Sequence, residues 1–308
     1  MDIAQFQTSS SRVLFLLFLS TVAYGVCELL YLHLGKRAAR LKEYKVAFFG
    51  MLSIILVAVG VAMLYGRINT AIIGIWGSQF ALFDTDLSWY WWLYGLLVYE
   101  FFYWLQHYLA HKIRFFWCLH SPHHAPESMN MFVGFNHSCL ESVFYMPFFL
   151  GFFPALLGVD PVILIVCNIV DAVWGSMIHI SDHLVSKRLG ILERFLQTPA
   201  YHRAHHAQNI VYMDTNYCSI TLFWDWFFGT LQPLKDDEVP KYGITRSVKT
   251  SSFLDVHFGE FALLWKDMLQ APTWRIALAY MYMPPGWTHK GELETVAFLK
   301  KNSLKFKP

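Results

Sequence analysis

A neutral imidazole binds metal through a ring nitrogen, and this chain concentrates imidazoles. Ten of its 14 histidines fall into four short groups: His107 and His111; His120, His123 and His124; His179 and His183; His202, His205 and His206. The patterns are H-x-x-x-H, H-x-x-H-H, H-x-x-x-H and H-x-x-H-H, with Asn136-His137 between the second and third. Side chains three or four residues apart on a helix share a face, so each group can offer two or three nitrogens to one ion. Ten ligands are too many for one ion, which points to two. Nitrogen-rich coordination suits iron, zinc, copper or nickel, and residue type alone does not choose among them.

Other residues near these groups are candidates to support or join them. His137 has no helical partner and reads as a ligand or as a support to one, together with Asn136. Asp171 lies two helical turns before His179, placed to orient it, and Asp182 sits beside His183. His33, His257 and His289 stand alone and read as ordinary hydrogen-bonded polar residues. The alternative to a metal centre is a set of interfacial histidines among lipid headgroups, which four spaced groups make a poor explanation. A histidine-rich metal transporter or sensor would place its ligands near mid-span, whereas these lie at span ends and in connections.

The elements that must position them are apolar. The chain has 308 residues, 56% hydrophobic and 18% aromatic with only 15% charged, against about 25% charged in an ordinary soluble domain. Its net charge of +2 gives no reason to expect nucleic acid or an acidic partner. The five cysteines are scattered and never paired as C-x-x-C, so free thiols are expected rather than a disulfide framework. About 20 apolar residues span a bilayer. Residues 13–34, 46–65, 87–106, 143–159 and 161–178 read as spans, the last two as a hairpin turning at Gly158-Val159-Asp160-Pro161. Residues 70–83 are too short for a span and read as re-entrant or interfacial. The first span reads as an anchor rather than a cleaved signal peptide.

Lys36, Arg37, Arg40, Lys42 and Lys45 follow the first span and place that connection on the cytoplasmic side. Following the spans from there brings all four histidine groups to one cytoplasmic face. Local signals agree with helical presentation: Thr198 reads as an N-cap with Pro199 in the first turn, ahead of His202, His205 and His206. Pro122 predicts a regular helix only from Ser121 onward, and therefore a bend at His120, His123 and His124. The expectation is an all-α integral membrane protein: anchor helices over 1–87, a catalytic domain over 88–235 with a cytoplasmic helical cap, and a cytoplasmic or interfacial tail over 236–308.

The histidine patterns are followed by Thr198-Pro199-Ala200-Tyr201-His202-Arg203-Ala204-His205-His206, by Asp214-Thr215-Asn216-Tyr217, by Trp224-Asp225-Trp226-Phe227-Phe228-Gly229-Thr230 and by Tyr242-Gly243-Ile244-Thr245. In that order the chain resembles the fatty acid hydroxylase/sterol desaturase superfamily, and within it the alkylglycerol monooxygenase-like branch. The resemblance covers about residues 88–250. Cys218 stands where relatives usually have glycine, Trp226 where many have arginine, and Tyr108 where arginine commonly follows the first histidine.

The resemblance implies a non-haem centre of two metal ions, normally iron and open to substitution by zinc, with the ten clustered histidines as ligands. It implies O₂-dependent hydroxylation of a lipid C–H bond, or desaturation at the same centre. No stretch reads as a fused electron-transfer domain, so electrons are expected from a ferredoxin, a cytochrome b5-like protein or a pterin. The lipid (fatty acyl, ether or aminolipid, or sterol) and the oligomeric state are left open.

Overall fold

The computed structural model describes residues 3–35, 41–71, 80–186, 188–291 and 293–303. Among them the secondary structure is all α, with two isolated bridges and no strand. Most of the connection at 36–40 and residues 72–79 of the expected re-entrant segment lie outside the described residues.

Two long helices, α1 (Ile3–Leu34) and α2 (Leu41–Ala71), cover the first two apolar stretches. The third continues without a break into the first histidine pair as α3 (Trp89–Lys112), which puts His107 and His111 on its buried face. The chain then turns at Ile113, in extended conformation, into α4 (Arg114–His124). Here the expected bend is corrected, because α4 runs through Pro122 to its end. The proline lies in the last turn, where its missing N–H removes a single intrahelical bond. Asn136 Nδ2 donates to the Pro122 carbonyl at 2.6 Å and fixes that turn.

The expected hairpin exists, but its first arm is broken. It comprises α5 (Glu141–Phe144), a π-turn at Phe148–Phe152 and α6 (Phe153–Leu156). The chain reverses at Gly158, whose φ of +79° suits a residue without Cβ. Asp160 then caps α7 (Pro161–Met177) by accepting from Val162 N. Tyr99 on α3 packs with Ala155, Val159, Ile163, Leu164 and Cys167 of the hairpin. The second histidine triad is carried by α8 (Pro199–His205), with Thr198 at its N-cap as expected and His206 at its C-cap. The Thr198 hydroxyl bonds Glu193 instead of capping α8. Next come α9 (Phe223–Phe227), α10 (Phe253–Leu269), α11 (Trp274–Tyr282) and α12 (Val296–Ser303). Helices α10 and α11 close over α4 through Cys118, Leu264 and Tyr280.

Among the described residues no helix is long and apolar enough to cross a membrane. In α3 the apolar run is diluted by Trp, Tyr, Glu100 and Gln106; the hairpin's first arm is broken, and its second is 17 residues long. The described helices therefore do not by themselves show the expected five spans.

Buried carboxylates tie the helices to loops. Glu28 of α1 accepts from the backbone N–H of Met131 and of Ser181, both at 2.7 Å. Glu43 of α2 accepts from Glu127 N and the Ser128 hydroxyl. Glu100 of α3 accepts from Ile220 N, Thr221 N and the Thr221 hydroxyl. A hydrogen bond to a charged group contributes about 1.5–3 kcal/mol, so two or three offset much of the cost of burying each carboxylate. Their effect is to hold irregular backbone against helices at both sides of the histidines.

Candidate metal centre

The fold gathers nine of the ten clustered histidines into two adjoining buried groups. His107, His111, His120, His124 and His205 form one; His123, His179, His202 and His206 form the other. Within each group one ligand atom per residue lies within 4.8 Å of every other. The groups share a wall: His124 stacks on His206 with ring centroids 4.4 Å apart, and His120 lies 5.2 Å from His123. The H-x-x-H-H pattern causes this division. His120 and His124 are on one face of α4 and serve the five-membered group, while His123 points to the other.

The backbone and one carboxylate decide which nitrogen is free in five of the nine rings. His107 Nδ1 donates to Tyr217 O at 2.8 Å, His205 Nδ1 to Thr215 O at 2.7 Å, and His120 Nδ1 to Glu141 Oε1 at 2.8 Å. In the second group His123 Nδ1 donates to Val133 O at 3.1 Å and His179 Nδ1 to Gly175 O at 2.5 Å. Carbonyl and carboxylate oxygens only accept, so each of these rings carries its proton on Nδ1 and, when neutral, a lone pair on Nε2. Those lone pairs face one another. His107 Nε2 lies 3.1 Å from His120 Nε2, and His123 Nε2 lies 3.2 Å from His179 Nε2. His179, His202 and His206 continue the second series at 2.7 and 3.0 Å. Nε2 of His111, His124 and His205 is buried with no hydrogen-bond partner.

Protonation does not resolve this crowding. Burial, aided by the neighbouring imidazoles, pushes His107, His111, His123, His124, His202 and His206 well below the usual histidine range. Burial brings His179 and His205 down to about 3. Neutral nitrogens with lone pairs converging on one another in a dry interior are the donor set of a cation, and the residues fit a metal ion in each group.

The supports are equally specific. Glu141 accepts from His120, from His137 Nδ1 at 2.6 Å and from the Tyr145 hydroxyl at 2.6 Å. Burial opposes its ionisation, but His137 and His120 outweigh that and hold the carboxyl well below its ordinary range. His137 stacks on His123 at 4.1 Å and makes a third small group with His120 and Glu141. Asp225, from the W-D-x-x-F-G-T run, is fully buried and accepts from Tyr217 N, Cys218 N, Trp104 Nε1 and the Thr230 hydroxyl. It thus pins the segment whose carbonyl aims His107. Asp214 and Asn216 take positive φ values of 55° and 59°, which turns that segment so that Thr215 O and Tyr217 O both point at imidazoles. Asn216 is held there by Tyr201 O, Gln232 O and Gln232 N.

Three expected roles are corrected. His183 belongs to neither group; the turn after His179 leaves it exposed, lining a surface cavity of about 190 Å³ with Tyr44 and Tyr242. Asp182 is exposed in the same cavity and accepts from the Ser181 hydroxyl at 3.5 Å. Asp171 bonds the Tyr99 and Ser219 hydroxyls rather than a ligand histidine, so it ties α7 to α3. Asn136 acts on α4 through Pro122, as described above. Sequence reading missed Glu141; its one signal was the H-x-x-x-E spacing from His137.

Residues 92–230, which contain both groups, match the family model for fatty acid hydroxylase. These residues form a fatty acid hydroxylase family domain. It is 33% identical over 224 residues to alkylglycerol monooxygenase of Danio rerio, covering 71% of this chain and 47% of that protein. The Homo sapiens alkylglycerol monooxygenase is 30% identical over 224 residues, with the same shares. An ornithine lipid hydroxylase of Rhizobium tropici is 28% identical over 155 residues, 50% of this chain and 45% of the relative. The chain thus spans less than half the length of these curated relatives. No solved structure matches it.

Proposed function

We propose that the chain is a membrane-associated lipid hydroxylase whose two histidine groups each hold one iron ion. The facing Nε2 lone pairs of His107 with His120, and of His123 with His179, carry this reading, since nothing but a cation or a shared proton relieves them. Iron held by these residues supplies the redox chemistry for inserting an O₂-derived oxygen into a C–H bond. The chain's own part is to keep the nine imidazoles dry and fixed. Tyr217 O, Thr215 O, Val133 O, Gly175 O and Glu141 set the tautomers and aim the Nε2 atoms. Burial of the nine histidines excludes water from the reacting region.

The substrate proposed is a lipid with a polar head, an alkylglycerol-type ether lipid first and an ornithine-type lipid second. The names of the relatives support this choice. Exposed apolar side chains on α1 and α2, among them Leu19, Tyr24, Leu34 and Leu56, support an integral membrane location. Lys42 and Lys45 beside that connection support a centre on the cytoplasmic face, at the inner membrane of a bacterium or the endoplasmic reticulum of a eukaryote. Electrons come from a separate ferredoxin, cytochrome b5-like protein or pterin.

The test is lipid mass spectrometry under ¹⁸O₂ in cells expressing the chain or its His205→Ala variant. A lipid that gains one ¹⁸O only with the intact chain is the expected result. A lipid that loses two hydrogens without label would replace hydroxylation by desaturation, and no change in any lipid would overturn the reading.

A further inference from the structure

Helices α10 and α11 bury one apolar face and expose another. On α10, Val256, His257, Glu260 and Leu264 are buried, and the helix packs against α4 and α2. A second stripe stands outward on the same helix: Leu254 is 70% exposed, Phe258 42%, Trp265 61% and Leu269 69%. Their spacing of four, seven and four residues keeps them on one side of a 3.6-residue helix. Helix α11 repeats the pattern in shorter form, with Trp274, Leu278 and Tyr282 exposed at intervals of four while Ala279 and Tyr280 are buried. The two helices pack together, so the stripes belong to one surface element.

Charge distinguishes what would cover it. The acids of α10 are engaged by arginines: Asp255 and Glu260 by Arg246, and Asp267 by Arg114. Lys266 and Arg275 remain exposed beside the stripes, Arg275 lying over the Trp274 ring. An apolar band bordered by Trp and Tyr and flanked by outward cations is matched to the headgroup–acyl boundary of an anionic lipid surface. Helix α2, which packs on α10, also exposes Phe48, Leu52 and Leu56 at the same four-residue spacing.

From this we infer that α10 and α11 lie in the plane of an anionic phospholipid surface, as an interfacial dock outside the histidine-bearing segment. The partner is chosen on the lipid-active reading above, but the geometry stands apart from the chemistry. Docked this way, α10 seats α4, and with it His120, His123 and His124, at a fixed depth relative to the lipid. Among the described residues this ties the centre to a lipid surface without requiring a helix that crosses it.

The test uses the full chain in nanodiscs of phosphatidylcholine with phosphatidylglycerol, with nitroxide labels at Leu269→Cys and Leu278→Cys. Asp236→Cys, on a fully exposed loop side chain, is the aqueous control. Parent protein treated with label gives the background from native cysteines, and circular dichroism checks the fold of each variant. The expected result is preferential relaxation by O₂ over a nickel chelate at 269 and 278, with the opposite preference at 236. Equal behaviour at all three positions overturns the dock. Dipolar broadening at 269 or 278 that vanishes on dilution with unlabelled chain also overturns it, by making a second copy the occupant. None of these outcomes depends on lipid oxidation or metal content, so failure of the dock and failure of the hydroxylase reading are separate results.

Discussion

The five-histidine and four-histidine groups are built from the same ring, yet they are supported differently. In the larger group His120 rests on the Glu141 carboxylate, and His111 Nδ1 lies 3.7 Å from a carboxylate oxygen of Asp214. In the smaller group the ring nitrogens bond backbone carbonyls, those of Val133 and Gly175, and one another. A carboxylate behind an imidazole strengthens it as a ligand and adds negative charge near the cation. The five-histidine group should therefore hold its ion more tightly. Two sites sharing a wall but unequal in charge are suited to unequal duties, and a chelator should empty them in sequence, the four-histidine group first.

The harshest way to break the comparison is to remove one ligand from each side. His205→Ala and His179→Ala should each lower iron from two to about one per chain by elemental analysis, and each should abolish lipid oxidation. If both variants kept two ions, the division into two groups would be wrong. Next in size is Asp225→Asn, which removes the charge and, with the amide oxygen in the place of Oδ1, sets an amide NH₂ against the Cys218 N–H. A loss of about 3 kcal/mol in denaturant unfolding is expected, together with weaker metal binding in the five-histidine group, whose His107 it aims through Tyr217. Unchanged stability would show that the W-D-x-x-F-G-T aspartate does not anchor that wall.

A smaller change sharpens the contrast directly. Glu141→Gln keeps the shape but removes the charge, and should weaken one of the two ions about 10–100-fold in competition with a chelator while leaving the other unchanged. Equal weakening of both would erase the proposed asymmetry. The smallest effect is acid, which should not discriminate. His179 and His205, one from each group, are both held down at about 3 by burial. The folded values lie below the unfolded histidine value, so the unfolded chain binds more protons between them. Stability of metal-free protein is then complete above about pH 6.5 and is lost as pH falls through that value toward 3, by on the order of 1–2 kcal/mol per histidine at pH 5. Thermal melts at pH 7.5 and 5 test this, and a metal-free protein that became more stable in acid would contradict it.

Much of the site was legible because its chemistry is local. The four histidine patterns name nine residues that the fold gathers, and Thr198-Pro199 marks the start of α8. The helix through Pro122 was not legible, because its tolerance depends on Asn136, 14 residues away, and on a position in the last turn. His183 misled for a related reason: an H-x-x-x-H pattern implies a shared face only if the helix continues, and α7 stops at Met177. Apolar length likewise did not show that the hairpin's first arm is broken, or that Glu28 and Glu100 bind loop backbone from within apolar runs.

By itself the sequence determined the candidate histidine set and the match of residues 92–230 to a fatty acid hydroxylase domain, because imidazole spacing on helices and the motifs after it are properties of short segments. Only the tertiary structure decided how the ligands divide, which ring nitrogen each presents, and that Glu141 and Asp225 stand behind them. Those choices rest on contacts between residues up to 121 positions apart, such as Trp104 with Asp225, where burial makes an unpaired polar group costly.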